Sequence, residues 1–109
     1  LFFLKNILRA REARRSLVVG ILTVELFFPG TTSLKEKRRI LKGMLEKIRS
    51  RFNVSAAEIG RQDAWQFAVL GVACVSNESS HVYRVLAAVS RFIEDLRQAE
   101  VVGVRTEVF

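Results

Sequence analysis

A ferredoxin-like α+β sandwich, with two helices on one face of a four-stranded antiparallel sheet, is the fold class this sequence predicts. Three observations lead there. Apolar spacing alternates between period two and helical period in the order strand, helix, strand, strand, helix, strand. Both helical segments carry a single apolar stripe, so each has one face to bury. A short polar turn joins the two middle strands, and a hairpin with right-handed crossovers then satisfies burial in a βαββαβ path.

Residues 1–17 stand apart from this pattern, with five basic side chains against Glu12. Leu1, Leu4 and Leu8 share a helix face with Phe3 and Ile7, so the segment reads as a basic amphipathic arm. The domain proper is expected to be a single unit over 18–109. Its first strand runs from Val18 to Phe28, where Gly20, Leu22, Val24, Leu26 and Phe28 face the helices. The opposite parity, Val19, Ile21, Thr23, Glu25 and Phe27, is still rather apolar, which marks that face for burial against a subunit or the arm.

Pro29-Gly30 ends the strand, and Ser33 followed by Glu36 forms the capping box of a helix starting at Leu34. Asn53 to Ile59 reads as a second strand, Gly60 to Asp63 as a turn, and Trp65 to Ser76 as the third strand. Ser79 or Ser80 caps a second helix, lined by Val82, Val85, Leu86, Val89, Phe92, Ile93 and Leu96. Val101 to Phe109 returns to strand composition.

The strongest functional signal lies in the first helix. Between Ser33 and Arg51 there are eight Lys or Arg against two Glu. Leu34, Leu41, Leu45, Ile48 and Phe52 form the apolar stripe, with Met44 beside it. Lys35, Arg38, Arg39, Lys42 and Arg49 then face outward. Lys37 falls at the stripe's boundary, and its stem is expected to snorkel so that the ammonium reaches outward.

The whole chain supports the same direction. Its 109 residues carry 18 Lys or Arg against 11 Asp or Glu, a net charge of +7 that favours an acidic partner such as nucleic acid or an anionic membrane surface. At this length about 65% of the unfolded surface is buried on folding, enough for one modest core. The single cysteine, Cys74, sits in an apolar strand, as a buried thiol in a reducing compartment would. No apolar run reaches the roughly 18 residues of a membrane span, so a cytoplasmic protein is expected.

Signals for catalysis are weak. One histidine, His81, and scattered carboxylates have no metal-ligand spacing, so neither a metal nor a cofactor is expected. The glycines are isolated, without a phosphate-cradling pattern. Glu25, Glu58, Asp63 and His81 are far apart in sequence, and only a shared pocket would make a catalytic set of them. No catalytic residue is assigned and the chain is read as no enzyme. Asp63, Trp65 and Gln66 form a polar and aromatic cluster where the hairpin turns into its strand; Trp65 suits a base or a covered sheet edge.

The segments SLKEKRR (33–39), RFNVSAAE (51–58) and QDAWQFAVLGVACVSN (62–77) resemble those of the YlxP-like family of small uncharacterised bacterial proteins. The resemblance spans residues 18–109 and implies a ferredoxin-like fold. Genes of that family often lie among those for transcription elongation, translation initiation and ribosome maturation, which implies an RNA or ribosome setting. Ser33, Leu34, Lys35, Glu36, Lys37, Arg38, Arg39, Asn53, Val54, Gln62, Asp63, Trp65 and Gln66 match its hallmarks, and the resemblance implies no catalytic role for any of them. Family members generally begin near the first strand, so residues 1–17 depart from the pattern.

The expected function is therefore an RNA- or ribosome-associated module. Its phosphate-binding candidates are Lys35, Lys37, Arg38, Arg39, Lys42, Arg49, Arg51 and Arg61. The rival expectation is a homo-oligomer, a dimer for example, or a protein-interaction module, joined through the apolar sheet face at Ile21 and Phe27 and through the outer strands, with no nucleic acid involved.

Overall fold

A computed structural model describes residues 4–6, 9 and 16–109. Most of the basic arm expected at 1–17 lies outside the described residues. The elements follow the order strand β1 (Val18–Phe27), helix α1 (Leu34–Arg51), β2 (Ser55–Gly60), β3 (Phe67–Ser76), α2 (Ser79–Leu96) and β4 (Glu100–Val108). The strands form one sheet in the order β2-β3-β1-β4, with every neighbouring pair antiparallel. This is the expected ferredoxin-like architecture.

The period-two pattern of the central strands divides the sheet cleanly. Leu22, Val24 and Leu26 of β1 oppose Val72, Leu70 and Ala68 of β3. All six are buried with Leu41, Met44 and Ile48 of α1 and Val82, Leu86, Val89 and Ile93 of α2. The register pairs Gly20 with Cys74 on this same face. A methyl group at Gly20 would overlap Val82 Cγ1 and come 2.8 Å from Leu86 Cδ1. Gly20 therefore lets the first turns of α2 lie directly on the sheet.

Several boundaries differ from expectation for local reasons. β3 begins at Phe67, which leaves Trp65 in the β2–β3 connection. That connection runs through Arg61 in the left-handed region (φ 59°), a bend the turn at 60–63 only partly anticipates. β2 starts at Ser55, two residues late, and a bulge at Ile59 shifts its register. The cap of α2 is Glu78, without a side-chain capping bond, so Ser79 and Ser80 are already helical. Ser76 Oγ instead accepts from the Glu78 amide at 3.2 Å.

At α1 the cap is Ser33, as its spacing predicts, and its Oγ accepts from the Glu36 amide at 3.1 Å. The return half of the box is displaced by one residue. Glu36 Oε2 accepts from both the amide and the hydroxyl of Thr32, each at 3.2 Å.

Candidate nucleic-acid interface

The outward stripe of α1 carries Lys35, Arg38, Arg39 and Lys42, all exposed. Their i, i+3, i+4, i+7 spacing places them on one side over two turns, opposite the buried Leu41, Met44 and Ile48. Among the described residues, the ion pairs involve Lys37 and Arg105, so these four cations are not neutralised by an acidic neighbour. Such a face presents positive charge to solvent along a rigid rod.

Lys37 corrects the expectation. It is 0% exposed and does not snorkel outward. Its Nζ donates to the carbonyls of Arg61 (3.0 Å), Gln62 (3.3 Å) and Phe67 (3.0 Å). It also lies 3.1 Å from Glu58 Oε2, off the direction of a hydrogen bond, so that buried oxygen is held by charge attraction alone. The ammonium ties α1 to both ends of the β2–β3 connection and does not belong to the outer basic face. The sequence does contain the signal: 37, 41, 44 and 48 lie on one helical stripe, with the lysine on its axis.

Two other basic candidates are engaged within the fold. Arg49 Nη2 donates to the carbonyl of Ala56 on β2 at 2.6 Å. Arg51 lies over the Phe92 ring, 5.2 Å from its centroid, where Phe92 also meets Phe52 edge-on. Arg51 thus points toward α2, while Lys47, Arg84 and Arg91, absent from the candidate set, are exposed and spread basic charge over both helices.

Arg61 sits apart from the helical face. Its guanidinium lies 4.5 Å from the centroid of Phe67, which in turn is 5.1 Å from Phe27. Phe27 and Phe67 are register partners with the parity of the sheet's outer face, so Arg61 stacks at one end of that face. The nearby loop is pinned from below, because the Phe28 amide donates to the Gln66 carbonyl at 2.7 Å. Above this anchor Asp63, Trp65 and Gln66 are exposed, Trp65 by 51%.

Ile21 is half-buried on the same outer face, as is Phe27, with Val69 and Ala73 beside them. Glu25 reaches across Gly103 on this face, since a methyl there would meet Glu25 Oε2 at 2.6 Å. The four groups weighed as catalytic do not converge. Glu25 is on the outer face, Glu58 beneath the loop, Asp63 in the loop, and His81 exposed in the first turn of α2. Among the described residues no three His, Cys, Asp or Glu side chains cluster. No described helix is long and apolar enough to cross a membrane.

Comparison with known proteins places these features in a family. The family model described as a protein of unknown function, DUF503, matches residues 19–106. The uncharacterized protein YlxP of Bacillus subtilis (strain 168) is 38% identical over 92 residues, covering 84% of this chain and all of the relative. Among solved structures, the de novo designed protein Foldit4 is similar with a TM-score of 0.49 and 22% identity, over 84% of this chain and 96% of that one. The structural-genomics protein YJCS has a TM-score of 0.43 and 11% identity, over 82% and 96% of the two chains.

Proposed function

This chain belongs to the family described as DUF503, and from that premise we propose that it is a non-enzymatic RNA-binding module that docks structured RNA, ribosomal RNA included, on the outer face of α1. One observation carries the reading: Lys35, Arg38, Arg39 and Lys42 form an exposed cationic stripe with no acidic partner among the described residues. The first and last of them are about 10 Å apart along the helix axis, enough to contact more than one phosphate. Side chains of this kind read backbone position and shape, not base sequence.

The experiment is co-sedimentation of the full chain with ribosomal particles, together with crosslinked-RNA sequencing, for wild type and the triple variant Arg38→Glu, Arg39→Glu, Lys42→Glu. Retention of wild type and loss of the variant supports the reading. Retention unchanged by the variant, or none for wild type, overturns it.

A second reading, protein association without RNA, is favoured by the half-buried apolar outer face at Ile21 and Phe27. Ile21→Asp with circular dichroism as a folding control tests it: association that persists in the folded variant removes this face from consideration.

A further inference from the structure

The two edges of the sheet are finished differently. At β2 the strand is short and bulged at Ile59, and the Arg49 guanidinium occupies the Ala56 carbonyl. These are devices that discourage further strand pairing. β4, the opposite edge, has no side-chain hydrogen bond to its backbone among the described residues. Its register shift falls near Val102 and leaves residues 104–108 regular.

The phase of the ladder tells which groups are free. Val19 donates to the Phe109 carbonyl at 3.1 Å and Phe109 donates to the Val19 carbonyl at 2.8 Å. Counting back by two, Glu107 and Arg105 also turn their backbone groups toward β1, opposite Ile21 and Thr23. Val108, Thr106 and Val104 therefore turn their N–H and C=O groups outward, along the free edge.

Val104-Arg105-Thr106-Glu107-Val108 is complementary to itself when antiparallel. With Thr106 on a two-fold axis, Thr106 faces its own copy and each Val104 faces Val108 of the second copy. These are the residues whose backbone groups are free, so each pair exchanges both hydrogen bonds. Arg105 then faces Glu107 of the second copy, and the reverse, on the outer face where the two already lie 3.4 Å apart within one chain. A shift of the axis by one residue to either side keeps this hydrogen-bond phase but sets Arg105 against its own copy, or Glu107 against its own, so the charges select the axis at Thr106.

We infer that β4 is a self-association edge, at which a second copy of this chain pairs antiparallel about Thr106 to join two sheets into one. The groove of about 350 Å³ between β4 and α2 contributes to the same contact. It is lined by Tyr83, Arg91, Glu94, Val104 and Thr106, so two of the residues that pair across the axis also form its wall. Pairing there leaves the outward stripe of α1, over the far side of the sheet, uncovered.

Sedimentation velocity of the full chain, from micromolar to millimolar concentration, tests this with charge variants. Wild type is expected to dimerise. Glu107→Arg and Arg105→Glu each set like charges opposite one another twice and weaken association about tenfold or more, with unchanged circular dichroism. Mixing the two single variants restores the dimer, because an all-basic strand then faces an all-acidic one; an effect confined to the chain's own Arg105–Glu107 pair would not respond to mixing.

Thr106→Cys provides a readout independent of charge: mild oxidation links it to its own copy, across a Cα separation of about 5.5 Å. Thr23→Cys, on the open sheet face, stays unlinked. A monomeric wild type overturns the inference, as does a dimer indifferent to both charge variants, a mixture that stays dissociated, or linkage at position 23 in place of 106.

Discussion

Lys37 Nζ and Glu58 Oε2 stand 3.1 Å apart beneath the β2–β3 connection, the lysine fully and the glutamate largely withdrawn from solvent. The ammonium has three carbonyl acceptors besides, from Arg61, Gln62 and Phe67. One side chain on α1 therefore holds the loop that displays Asp63, Trp65 and Gln66. The segments 33–39 and 62–77, distant in sequence, meet through this buried charge.

Removing that charge should be costly. Lys37→Met keeps the length of the side chain but strands the Glu58 carboxylate and three carbonyls, at about 3–5 kcal/mol. Glu58→Gln leaves the carbonyl cage intact and should cost less, about 1–3 kcal/mol. Urea unfolding of the two variants gives the comparison. Near-equal stability of wild type and Lys37→Met would show that the ammonium does not organise the loop.

Gly20→Ala should destabilise by about 1–3 kcal/mol through overpacking, because the added methyl meets Val82 and Leu86 on a face with no free space. Gly43→Ala is the internal control. A methyl at Gly43 meets nothing within 4 Å, and helix propensity favours the change by about 1 kcal/mol. Opposite signs of the two effects in thermal unfolding are the expected outcome.

Much of the fold is legible in the sequence because its signals are periodic. The alternation in β1 and the stripe on α2 each name the residues that become core, and the cap at Ser33 follows from local chemistry. Lys37 is the exception, since its charge type argues for the surface while its position lies on the stripe through Leu41, Met44 and Ile48. The helical period places Arg49 outward, and it is exposed, but a period says nothing of the neighbours a side chain finds, here the Ala56 carbonyl for Arg49 and the Phe92 ring for Arg51. The self-complementary edge at β4 is written in five consecutive residues but acquires meaning only once strand order and hydrogen-bond phase are known.

Burial pushes the Cys74 thiol above its ordinary value, because the core does not solvate a thiolate. Stability from the neutral thiol is complete below the unfolded-state value of about 8.5 and declines as pH rises through the folded value, since the unfolded chain releases the proton first. The stability difference between wild type and Cys74→Ala should narrow from neutral to alkaline pH in denaturant titrations. A constant difference across that range would mean that the thiol ionises as easily folded as unfolded.

Salt dependence separates the cations that face solvent from those the fold uses. With Lys35, Arg38, Arg39 and Lys42 each on a phosphate, the logarithm of RNA affinity should fall against the logarithm of salt with a slope of about 3 to 4, from about 0.7 per contact on single-stranded to about 0.9 on duplex segments. Arg38→Gln should reduce that slope by about one contact. Arg49→Gln should leave it unchanged, because the Ala56 carbonyl holds the Arg49 guanidinium toward β2 and away from the stripe of Lys35, Arg38, Arg39 and Lys42. Filter binding over a salt series reads both. Equal slopes for wild type and Arg38→Gln would take the outer face of α1 out of the RNA contact, whereas a reduced slope for Arg49→Gln would extend the contact to the last turns of the helix, beside β2.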